Sequence, residues 1–138
     1  MARSCAPWGT LAWAALTALL VPGAPARAEV MASPLASSSR DVNQVVCYLG
    51  NTGPSTITVT NPKILNDTGF VLSLSVNSCG SSLGAGRICV WATDLTQSPT
   101  RYVCRVDLSS KANARGSIDL RVRTPRGDPT VISSVEMR

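Results

Sequence analysis

The chain has 138 residues, with 13 Lys and Arg against 8 Asp and Glu, no histidine, and aromatic side chains limited to three Trp, two Tyr and one Phe. The missing histidine excludes Ser-His-Asp and Cys-His catalysis, histidine-based metal sites and the commonest general base. A mild positive excess with so few aromatic platforms argues against nucleic-acid binding.

From the N-terminus, Arg3 precedes an apolar run from Thr10 to Val21, and the small-x-small site Ala26-Arg27-Ala28 follows. This is the layout of a cleavable secretory signal over residues 1–28. The apolar run of about 12 residues falls short of the roughly 20 that cross a bilayer as a helix. No second such run follows, so no membrane span is expected after cleavage. Cleavage after Ala28 would remove Cys5, Trp8 and Trp13, leaving 110 residues, four cysteines and a formal charge of +3 from 11 Lys and Arg against 8 Asp and Glu. One domain fits that length.

Residues 29–41 (EVMASPLASSSRD) are small and polar without periodicity, and are expected to form a flexible leader. The domain is expected over 42–138. There, β-rich runs start at Val42, Ser55, Phe70, Ile88, Arg101, Ser117 and Thr130, separated by Gly, Pro, Asn, Asp and Ser clusters. Phe70, Leu72, Leu74 and Val76 alternate with serines, and Ile118, Leu120 and Val122 alternate with polar residues, as in half-wet antiparallel strands. Gly50 to Pro54, Asn66 to Gly69 and Thr124 to Pro129 read as turns. Asn61-Pro62 is expected to end a strand, because proline has no N–H for the ladder, with Lys63, Ile64 and Leu65 left open as a short continuation or edge segment after it. Seven runs predict an all-β, immunoglobulin-like antiparallel sandwich.

Four cysteines in an exported chain favour two disulfides, and sequence alone allows three pairings. Cys79 and Cys89 bracket nine residues that include Gly80, Gly84 and Gly86, a loop able to fold back within bonding range. That choice leaves Cys47 with Cys104. Zinc fits poorly, since structural sites present close cysteine pairs and the gaps here are 31, 9 and 14 residues. Asp67, Asp94, Asp107, Asp119, Asp128 and Glu136 stand singly, and Gly80 to Gly86 lacks the lysine of a phosphate loop. No catalytic residue, metal or cofactor is expected.

The stretch Cys79, Gly80, Leu83, Gly86 and Cys89 resembles the bacterial immunoglobulin-like domains of the abnormal-spindle and hydin (ASH) type. Ile57 to Ile64 and Arg115 to Val122 are compatible with that family's strands, whereas Cys47 and Cys104 lie outside its pattern. The resemblance implies a structural or protein-binding module without catalytic residues.

Two surface features suggest binding. A hairpin of the runs at Arg101 and Ser117 would set Arg101 opposite Arg123 and Val103 opposite Arg121. With Arg126 in the next turn, these arginines could grip phosphate, sulfate or carboxylate groups, or simply splay into water over apolar surface. Trp91 could anchor a partner or pack against a disulfide. Asn66-Asp67-Thr68 also fits a glycosylation sequon, which matters only in a eukaryotic secretory pathway, and the bacterial resemblance argues against that. The expectation is a secreted or periplasmic bacterial module whose partner is a protein or another envelope component. The alternatives are a binder of anionic glycans or lipids, and an assembly subunit that exchanges a strand.

Overall fold

A computed structural model describes residues 27–37, 41–96, 100–124 and 127–138. Residues 1–26, which hold nearly all of the expected signal, and Arg126 lie outside the described residues. The strands are β1 (Glu29–Ala32), β2 (Ala36–Ser37), β3 (Gln44–Asn51), β4 (Ile57–Asn66), β5 (Val76–Asn77), β6 (Ser82–Leu83), β7 (Ile88–Asp94), β8 (Arg101–Leu108), β9 (Ala114–Val122) and β10 (Thr130–Met137). They form two antiparallel sheets packed as a β-sandwich. One sheet runs β1-β8-β4-β6, with β2 also on β8, and the other runs β10-β9-β3-β7-β5.

The period-2 pattern explains which side chains fill the space between the sheets. Val45, Cys47 and Leu49 of β3, Cys89 and Trp91 of β7, and Ile118 and Leu120 of β9 are buried from one sheet. Val59 and Ile64 of β4 and Cys104, Val106 and Leu108 of β8 are buried from the other. The disulfide Cys47–Cys104 joins the middle of the two sheets with its Cα atoms 5.9 Å apart, well inside the ~10 Å at which sheets normally stack. Cys79–Cys89 forms the second bridge, with Cα atoms 4.7 Å apart. Trp91 lies directly across from Cys47 on β3. It is fully buried, and its indole N–H donates to the Lys63 carbonyl on the opposite sheet at 3.1 Å.

Three expectations are corrected. First, β4 does not end at Asn61-Pro62. Thr60 pairs with Asp107 and Lys63 with Arg105, so one extra residue bulges out of β4 and the strand resumes. Pro62 has no N–H to leave unpaired in such a bulge, and Asn61 takes a positive φ of 52° with its amide donating to the Asp107 carboxylate. The inserted residue also changes the parity. Inward positions shift from Ile57 and Val59 to Ile64, and all three stay in the core.

Second, the run from Phe70 to Val76 is a crossing, not a strand. Its start bonds to one sheet, through the Leu65–Val71 bridge and Leu72 N–H to the Ile64 carbonyl. Its end bonds to the other, through Ser75 N–H to the Ala92 carbonyl and the β5–β7 pairing. A segment that changes sheets cannot hold one face inward along its length. Phe70 is accordingly 66% and Val76 48% exposed, while Leu72 and Leu74 pack against the core.

Third, residues 29–37 of the expected leader belong to the sandwich. β1 and β2 pair with β8, and Met31 and Ala36 are only 3% and 2% exposed. Without them the edge of β8 would present an unpaired row of N–H and C=O groups. Apolar Met31 and Ala36 thus supply the burial that orders an otherwise polar segment.

Candidate functional site

The arginine face does not assemble. β8 and β9 lie in different sheets, so Arg101 faces Ser37 of β2 and not Arg123. The connection after Leu108 carries the chain across the sandwich. Arg121 lies against Tyr48, with its guanidinium carbon 5.4 Å from the ring centroid. It donates to the Tyr48 hydroxyl and, at 3.0 Å, to the Asp119 carboxylate. Arg123 stands 3.5 Å from the Asp94 carboxylate, and its backbone N–H donates to the Asn43 side chain. Both arginines therefore have partners within the chain. Trp91, the other candidate, is an internal packing residue with no exposed surface.

A different surface emerges on the outer face of the second sheet. Alternation turns Tyr48 and Gly50 of β3 outward between buried Cys47 and Leu49. Gly50 has Ile88 of β7 as its neighbour on one side and Arg115 of β9 on the other. Because Gly50 has no side chain, a groove of about 480 Å³ opens above it. Tyr48, Arg87, Ile88, Arg115, Ser117 and Glu136 are among its lining residues. Ile88 is 71% exposed, the highest value among the exposed large apolar side chains. A Cβ placed on Gly50 would meet Ile88 Cγ1 at 3.7 Å, an ordinary contact, so it is the groove and not the backbone that needs a glycine here.

The floor of the groove is hydrogen-bonded on several sides. Asn51 is 1% exposed, and its side-chain amide donates to the Ser55 carbonyl at 2.7 Å and the Leu83 carbonyl at 3.0 Å, while its oxygen accepts from Gly53 N–H. Its backbone exchanges bonds with Arg87 and Gly86. Gly86, at φ 66°, makes that turn possible. On the neighbouring strand Gly116 leaves room for Met137, since a Cβ there would come within 2.8 Å of the Met137 sulfur and 2.9 Å of the Tyr48 carbonyl. Arg87 and Arg115 are exposed and, among the described residues, neither is ion-paired.

Comparison with protein families, curated proteins and solved structures returns no match. The groove must therefore be read from its chemistry: an exposed aliphatic side chain over a hydrogen-bonded sheet, with two guanidinium groups at hand and one carboxylate, Glu136. This suits an apolar side chain flanked by acidic groups on a protein surface. It could have been suspected in the sequence from Arg87 and Ile88 next to the second loop cysteine, but only the register places Gly50 between Ile88 and Arg115. The described residues contain no group of three or more His, Cys, Asp or Glu placed to hold a metal ion. They also contain no helix long and apolar enough to cross a membrane. The two disulfides are compatible with an oxidising compartment outside the cytoplasm.

Proposed function

We propose that this chain is a non-enzymatic, immunoglobulin-like binding module of the bacterial cell envelope, exported by a signal over residues 1–28, and that it holds a protein partner against the groove beside Ile88. The observation that carries the reading is an isoleucine left 71% exposed, the highest value among the exposed large apolar side chains, beside Arg87 and Arg115, neither of them ion-paired among the described residues. Exposed apolar surface rimmed by charge is a common mark of a protein-binding patch. The similarity of the Cys79 to Cys89 loop to ASH-type domains supports the same class of role, and the lack of any histidine removes the commonest general base.

A photo-crosslinking residue at position 88, compared with one at position 101 on the other sheet, tests the assignment in the native envelope. The expected result is a discrete adduct from position 88 that disappears when Gly50→Val fills the groove, with the thermal midpoint of the variant nearly unchanged. Equal labelling from both positions, or an adduct indifferent to Gly50→Val, would overturn it.

A further inference from the structure

The geometry points to residues 29–37 as an exchangeable strand: the N-terminal segment of one copy completes the β8 edge of a second copy. The proposal deepens the binding-module reading and rests on it for biological purpose, but it concerns the opposite sheet from the Ile88 groove.

Four observations carry it. The segment is the first described element of the chain, joined to the rest by the six residues between Ser37 and Gln44. Its ladder partners all come from far along the sequence. Val30 pairs with Asp107, Ala32 with Arg105 and Ala36 with Tyr102. Ser33 N–H donates to the Cys104 carbonyl at 2.9 Å, and the Ser33 hydroxyl accepts from Cys104 N–H at 3.0 Å. Ala32 and Arg138 exchange two backbone bonds at 3.1 and 3.0 Å. None of these contacts depends on which chain supplies the segment.

Both disulfides lie outside it. Cys47–Cys104 fastens the two sheets to each other, and Cys79–Cys89 fastens the loop after β5 to β7. Release of residues 29–37 breaks neither bridge, so the remaining sandwich stays covalently fastened while the segment leaves. The strand ladder of the segment is short, although Met31 and Ala36 are buried. Six strand residues are interrupted at Ser33-Pro34-Leu35, and Val30 and Leu35 are 42% and 50% exposed.

Release would leave a specific vacancy. The β8 edge would offer unpaired backbone groups beside the slots of Met31 and Ala36, a template for an extended chain. The sequence already shown to fit that template is this chain's own, which makes a second copy the occupant. Exchange of an identical terminal element is a low-cost route to assembly, closing as a dimer or continuing head to tail.

The pairing supplies a direct test with the processed chain. The Ala32–Arg138 bonds point the backbone groups of Ala32 away from β8, so Val30 and Asp107, two residues along, form a non-hydrogen-bonded pair. In such pairs the Cα atoms are about 4.5 Å apart, within disulfide reach. Chains carrying only Val30→Cys are mixed with tagged chains carrying only Asp107→Cys, held in mild denaturant with the native bridges intact, returned to buffer at high concentration and oxidised. The expected product is a covalent heterodimer, formed at least tenfold more than with a Thr52→Cys acceptor and lost when the donor also carries Met31→Asp. Heterodimer no greater than with the Thr52→Cys acceptor, or unaffected by Met31→Asp, would overturn the proposal. That failure would leave the crosslinking at position 88 to decide the binding-module reading on its own.

Discussion

Asn51 shows how a single polar residue sets the geometry at one end of this sandwich. Its side-chain amide and oxygen serve the turn after β3 and strand β6, while its backbone bonds the loop leading into β7. Removing it leaves buried carbonyl and N–H groups without partners, each at a cost of about 1–3 kcal/mol. Asn51→Ala should therefore lower the unfolding free energy by about 2 kcal/mol or more, measured by denaturant titration with the disulfides intact. The sequence marks Asn51 only as part of a Gly, Pro and Asn turn. Its role as a hub depends on groups about 30 residues away, and no local pattern encodes that. Asn66 illustrates the opposite case. The Asn66-Asp67-Thr68-Gly69 turn is legible locally, and its Asn66 oxygen accepts from Thr68 N–H at 3.1 Å and Phe70 N–H at 2.8 Å. Trp91 lies between these cases, since its position two residues beyond Cys89 suggested either packing or display, and its neighbours on the inner face decide for packing.

At the level of elements, β-rich runs bounded by turn residues located six of the seven expected strands, because each stays within one sheet along its length. The run from Phe70 failed because it changes sheets midway, which alternation cannot report. Residues 29–37 failed for the converse reason. Their composition is that of a loose leader, and only the open edge of β8 and two small apolar slots make a strand of them. At Asn61-Pro62 the proline disguises a bulge as a strand end, and the return of an apolar residue at Ile64 in changed parity is the bulge's sequence trace. The two disulfides are elements of the same order. On the chain-entropy view, closing the Cys47–Cys104 loop contributes about 4 kcal/mol and the shorter Cys79–Cys89 loop about 3 kcal/mol. Replacing both members of the first pair with Ala should thus destabilise the fold by about 1 kcal/mol more than replacing both members of the second. Chemical denaturation of the two double variants checks the order, and equal or reversed losses would contradict it.

For the whole molecule, the decisive fact absent from the sequence pattern was which sheet each strand joins. Period-2 alternation assigns faces, so it fixes the side of Arg121 or Ile88 on its own strand, but a short connection can turn a strand back beside its neighbour or carry it across the sandwich. The segment after Leu108 crosses, and that crossing separates Arg101 from Arg123 and dissolves the expected anion site. The same topology brings β3, β7 and β9 side by side and creates the Gly50 groove. Both lateral sides of the sandwich are bridged as a result. The segment from Phe70 to Asn77 spans one, and the bonds between Ala32 and Arg138 close the other. What remains is a body fastened by two disulfides, with the Gly50 groove on the outer face of one sheet and strands β1 and β2 outside both bridges.

The central claim is that two antiparallel sheets are fastened to each other through their middle strands, and covalent mapping reaches it most directly. Proteolysis of the processed, non-reduced chain followed by mass spectrometry should recover Cys47 linked to Cys104 and Cys79 linked to Cys89. Recovery of Cys47 with Cys79 or Cys89, or of four free thiols, would contradict the arrangement of strands described above.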